Sequence, residues 1–122
     1  MKILLDHSAP MNLARHLADH EVKHTTQLGW GGILNGELLK IAEASGFELM
    51  ITADKNIPHQ QNLAQSNLAQ LQLSTNNWPL LQPYIPLVVQ AVDQIKPAER
   101  RQVFCGQFVP RKAKRPSGPS VP

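Results

Sequence analysis

Apolar residues in this chain are grouped in two ways, as short unbroken runs and as stripes with helical spacing. Residues 2–5, KILL, form a run that stops at Asp6, and its lack of polar alternation predicts a first strand buried on both faces. Ser8 is expected to cap a helix with Pro10 just inside it, and Leu13 and Leu17 carry the helical stripe to about Asp19. Residues 20–25 return as a second strand. After the loop Gly29, Trp30, Gly31, Gly32, Asn35 is placed to cap a second helix, which carries Leu38, Leu39, Ile41 and Ala42 and closes at Gly46.

Residues 47–52 read as a third strand, ended by the polar turn Ala53, Asp54, Lys55, Asn56 and by Pro58. Residues 68–73 read as a fourth. Trp78 and Pro79 open a helix to about Ile95, with Pro83 and Pro86 as points where it kinks or splits and Pro97 beyond its end. Helices alternating with short apolar strands predict an α/β domain, a three-layer α/β/α arrangement around a mostly parallel sheet of four to five strands. Right-handed crossovers would leave few topologies open. Past Ala98 only residues 103–109 look able to add a strand, so the expected division is a domain over 1–98 and an extension over 99–122 ending in a disordered basic tail.

A chain of 122 residues has room for one core. No stretch approaches the ~18 continuous apolar residues of a membrane span, and the opening MKILLD carries an acid where a signal peptide would be apolar, so a cytoplasmic location without membrane contact is expected. Cys105 is the single cysteine, which excludes an internal disulfide and a cysteine-based zinc knuckle. The net charge of +3 resides in Arg111, Lys112, Lys114 and Arg115: without them, eight basic residues face nine acidic ones. Charge therefore points to nucleic acid only through the tail.

Ligands of open parallel sheets bind outside the carboxyl ends of the strands. Asp6 and Asp54 are expected at two such ends, and Glu37 in the first turn of the helix between them. Three neighbouring carboxylates repel unless a cation joins them, and hard oxygen donors suit Mg2+ or Mn2+ and phosphoryl chemistry. Singly, Asp54 also fits an ordinary turn, and Glu37 also fits the positive end of a helix dipole. Asp6 is harder to explain away, because a carboxylate ending a buried strand costs desolvation.

The segments KILLDHSAP, LGWGGILNGELLKIAEASGFELMITADKN, HQQNL and NNWPLL together resemble the PIN-like nuclease domains, near the VapC-type toxin relatives among the small stand-alone members. The likeness spans roughly residues 1 to 95. It implies a metal-dependent endoribonuclease, the toxin of a toxin-antitoxin pair, that hydrolyses single-stranded RNA with Mg2+ or Mn2+ held by Asp6, Glu37 and Asp54. Implied partners are the RNA, a cognate antitoxin protein and a second copy of the chain. In such a mechanism the metal lowers the pKa of a bound water, with Glu37 as ligand or general base. Lys55, Asn56, His7 and Asn76 are candidates for supporting roles, the last as a neutral oxygen ligand.

Two departures open an alternative. The chain has no Asp or Glu between Lys55 and Gln90, where the family usually adds a fourth acid, and His7 follows the first aspartate. A catalytically weak or inactive binding module held by a partner protein fits both. A phosphoacceptor receiver-like switch domain fits less well, since Asp6 and His7 do not make its acidic pair. His16, His20 and His24 recur every four residues but are not expected on one helical face. Trp30 suits base stacking or, more commonly, a loop anchor, and His59, Gln60, Gln61 and Asn62 suit either a groove or an exposed loop. No GK[ST] follows the glycine loop, which excludes a P-loop.

Overall fold

A computed structural model describes residues 1–33, 35–54 and 67–105. Strands β1 (Lys2–Leu5), β2 (Glu21–His24), β3 (Leu49–Thr52), β4 (Ala69–Leu73) and β5 (Arg100–Val103) form one sheet in the order β2-β1-β3-β4-β5, and every pairing is parallel. Helix α1 (Asn35–Ala44) covers one face; α2 (Trp78–Leu81) and α3 (Ile85–Gln94) cover the other. The expected three-layer α/β architecture is therefore present.

Both faces of β1 are covered, which is why its sequence is unbroken in apolar residues: Ile3, Leu4 and Leu5 are wholly buried. Ile3 and Leu5 join Leu49, Ile51 and Leu71 in the larger core, against Leu13, Leu17, Leu81, Val88 and Val92. Leu4 and Met50 face the other way, under Leu38, Leu39 and Ala42 of α1. Helix α1 stops where expected. Gly46 takes φ of 88°, its N–H and that of Phe47 donate to the carbonyls of Glu43 and Ala42, and Phe47 packs in the same cluster as Ala42. This is a Schellman ending, and a left-handed φ is what favours glycine there.

Several local expectations are corrected. The first helix is a 3-10 segment, Met11–Leu17, with Pro10 at its N-cap and no side-chain cap, because the Ser8 hydroxyl is used elsewhere. The helix over 78–95 is split, as its internal prolines led one to expect, into α2, a 3-10 turn at Gln82–Tyr84, and α3. Pro83 lacks the N–H that would continue α2, whereas Pro86 falls in the first turn of α3, where that lack is harmless. The last strand among the described residues is 100–103, which begins before the expected 103–109, a stretch whose residues 106–109 lie outside the described residues; the sheet therefore extends past residue 98. Its sequence RRQV shows no apolar run because β5 ends the strand order, with Arg100 and Gln102 exposed and Val103 buried. The side chain of Asn35 and residues 106–122 lie outside the described residues.

The crossovers do not share one hand. From β1 to β2 the chain passes over the larger core's face, and from β2 to β3 it passes over the α1 face in the opposite direction, so these two agree. From β4 to β5 it passes over the larger core's face but in the direction opposite to β1→β2, which reverses the hand. Taking the shared hand as the usual right-handed one, β4→β5 is left-handed. Its helices thus pack beside Met11–Leu17, with His16 against Trp78 at 5.8 Å, and not over the α1 face of β4 and β5. Among the described residues no helix is long and apolar enough to cross a membrane.

Candidate functional site

The strand order reverses between β1 and β3, since the chain leaves β1 toward β2 on one side and later returns to β3 on the other. In a doubly wound sheet this switch point opens a crevice at the carboxyl ends of the two strands. Asp6 directly follows β1, and its N–H donates to the Ile51 carbonyl at 3.1 Å, so the pairing with β3 holds it in place. Thr52 ends β3 and Asp54 lies two residues on.

Asp6 is completely buried, and its carboxylate is engaged on both oxygens. Oδ1 accepts from the Ser8 N–H at 2.9 Å, the Ser8 hydroxyl at 2.6 Å and the Ala9 N–H at 3.2 Å; Oδ2 accepts from the Thr52 hydroxyl at 2.5 Å. The two hydroxyls then serve the next strand's exit. Ser8 Oγ accepts from the Ala53 N–H, and Thr52 Oγ1 accepts from the Asp54 N–H, both at 2.9 Å. A buried carboxylate is tolerable only when satisfied in this way, and this one ties the β1 and β3 exits together.

The other expected site residues are distributed unevenly. Asp54 is half-buried at the same edge, linked to Asp6 through Thr52. Glu37 is exposed in the first turn of α1, and His7 and Asn76 are exposed on the loops after β1 and β4. Lys55, Asn56 and the segment His59, Gln60, Gln61, Asn62 lie outside the described residues. Among the described residues no three His, Cys, Asp or Glu side chains are gathered where they could hold a metal ion. With Asp6 committed to internal donors, the described acids do not fit a three-carboxylate Mg2+ or Mn2+ centre.

The three histidines serve three separate purposes. His16 packs on Trp78, His20 Nε2 lies 3.5 Å from Asp93, and buried His24 caps the 3-10 turn Thr25–Leu28 while its Nε2 reaches the Ala9 carbonyl at 3.1 Å. Trp30 meets Phe47 edge-on at 6.0 Å in the α1-side core, as a loop anchor does.

Sequence reasoning missed Thr52 as the link between the aspartates and Ser8 as a carboxylate donor rather than a helix cap. It also missed a row of amides beside them. Gln102 Nε2 donates to Gln72 Oε1 at 2.7 Å, and Gln72 Nε2 donates to the Asp54 carbonyl at 3.4 Å. The signal was present in AQLQL, where the alternation marks one polar face.

Among the described residues two titrating groups are displaced. Glu99 is held below the usual carboxylate range, first by the Lys96 N–H at 2.9 Å and then by the Arg101 guanidinium. Burial pushes the Cys105 thiol above its ordinary value of 9.0, against the weaker opposing effect of Ser74. Below pH about 9 both folded and unfolded chains keep that proton, and above it the unfolded chain loses it first. Stability therefore falls as pH rises through the folded value. The expected result is that iodoacetamide at pH 8 labels Cys105 much more slowly in the native protein than in urea; equal rates would contradict its burial.

Compared with protein-family models, curated proteins and solved structures, the chain matches none of them.

Proposed function

We propose that this chain is a PIN-like domain that binds single-stranded RNA at the carboxyl edge of its sheet, and that it is a binding module rather than a metal-dependent ribonuclease. The observation that carries this choice is the state of Asp6. The carboxylate that the sequence marks first as a metal ligand takes four hydrogen bonds from its own chain and is wholly buried. It acts as an internal brace. Asp54, linked to it through Thr52, is half-buried at the same edge. The RNA assignment itself rests on the resemblance of the LGWGGILNGELL and TADKN segments and on the switch-point position of the edge. A partner protein that holds the module, of the antitoxin kind, belongs to the same reading.

A labelled single-stranded RNA, titrated with the full chain in EDTA and then in Mn2+, tests the proposal. The expected result is saturable binding that weakens with salt, without cleavage in either buffer. Cleavage that requires Mn2+ and is lost in Asp54→Asn would restore the ribonuclease reading. Absence of both binding and cleavage would remove RNA as the ligand.

A further inference from the structure

The α1 face of the sheet changes character between β3 and β4. Across one row the residues in register are Leu4, Met50, Gln70 and Arg100; the next row runs Thr52, Gln72, Gln102. Apolar side chains thus give way to amides and a guanidinium at the positions that a right-handed β4→β5 crossover would have covered with α3. The reversed hand of that crossover places α2 and α3 on the opposite face. Among the described residues, Thr52, Gln70, Gln72, Arg100, Arg101 and Gln102 line a cavity of about 280 Å³. That volume lies just under the range of about 300–1,000 Å³ found for small-molecule sites.

The lining is more polar than folding requires. Gln70 and Gln72 are only 4% and 8% exposed, so both amides have given up most of their water. Gln72 is repaid by Gln102 and by the Asp54 carbonyl. At Gln70 the buried Oε1 has no hydrogen-bond partner among the described residues. An unsatisfied buried amide costs stability, where leucine at the same position would contribute to it, and such violations of packing logic mark functional positions. Of the two arginines, Arg101 is neutralised by Glu99 at 2.7 Å, whereas exposed Arg100 has no ion-pair partner among the described residues. Among the described residues the groove therefore offers a recessed amide floor and, at its rim, a guanidinium without an ion-pair partner, that of Arg100.

We propose that this groove is a binding site for one nucleotide unit, with the Gln70 amide hydrogen-bonding the base and Arg100 holding the phosphate. Amides pair with base edges, and a guanidinium suits phosphate geometry, often in bidentate fashion. Thr52 places the groove next to the Asp6 and Asp54 edge, so a strand of RNA crossing that edge would set one base in it; in this respect the proposal rests on the RNA reading above. No bond is made or broken in the step, which is recognition alone.

The test follows the side-chain amide resonances of Gln70, Gln72 and Gln102 while AMP, CMP, GMP and UMP are added separately, with ribose 5-phosphate and inorganic phosphate as controls. Nucleotides are expected to shift these signals and the controls to leave them in place. Arg100→Gln should weaken the monophosphates by about tenfold without changing the response to adenosine. Gln70→Leu should abolish the base-dependent shifts while raising the thermal midpoint, an outcome that a merely structural glutamine would reverse. Identical shifts with ribose 5-phosphate, or nucleotide binding undisturbed by both substitutions, would overturn the site. RNA binding that survives both substitutions would sink the groove but leave the RNA reading standing. Mononucleotide binding in the groove by a chain with no affinity for RNA strands would do the opposite.

Discussion

Asp6→Ala is expected to lose about 3–5 kcal/mol of folding stability, the largest effect of any polar substitution in the described residues, because it strands four donors at once. The Ser8 and Ala9 amides and the Ser8 and Thr52 hydroxyls lose their common acceptor, the wholly buried Asp6 carboxylate. Since those hydroxyls also orient the Ala53 and Asp54 amides, the β3 exit should loosen with the β1 exit. Asp6→Asn should cost less, about 1–2 kcal/mol, because its amide oxygen can keep the three bonds to Oδ1 and the Thr52 hydroxyl can rotate to accept from the new NH2 group. Urea unfolding of the two variants checks the ordering. A loss under 1 kcal/mol for alanine would mean that Asp6 is not a brace, and would return it to the list of free ligands. The same result warns against reading lost activity in an Asp6 variant as lost catalysis; Asp54→Asn, at a half-buried position, separates the two.

Leu71→Ala should cost about 3–5 kcal/mol for a different reason. Leu71 is wholly buried at the centre of the larger core, in register with Ile51 on one side and Arg101 on the other. Its neighbours belong to strands fixed by parallel pairing on both sides, so the cavity left by truncation cannot close cheaply. Leu87→Ala, on the exposed side of α3, serves as the control and should stay within about 0.5 kcal/mol. A shift in denaturation midpoint without a change in slope would place the loss in the folded state. Equal costs at the two positions would contradict the assignment of the core.

The comparison of Leu71 with its neighbour Gln70 shows why the second half of the sheet was harder to read than the first. KILL and LMIT are unbroken because both of their faces are covered, and a run of that kind is legible without any knowledge of the partners. In AQLQL one face is covered by α2 and α3 and the other by none of the described helices, and the alternation records this. RRQV went unrecognised because an outer strand needs only one buried side chain, Val103, and the rest of its sequence is free to be polar.

Local chemistry thus dictated much by itself: an α/β alternation, the buried strands β1 and β3 with acids beyond their ends, the glycine that ends α1, and the prolines that divide the last helix. These depend on periodicity and on backbone restrictions that act within a few residues. That Asp6 is buried among donors of its own chain, where Ser8 sends its hydroxyl, and which face the β4→β5 crossover takes were decided only by tertiary structure. Each depends on groups brought together from positions dozens of residues apart, as when Thr52 of β3 reaches Asp6 after β1. A side chain's type shows that it can accept a hydrogen bond, but the identity of the donor follows only once the strands are in register.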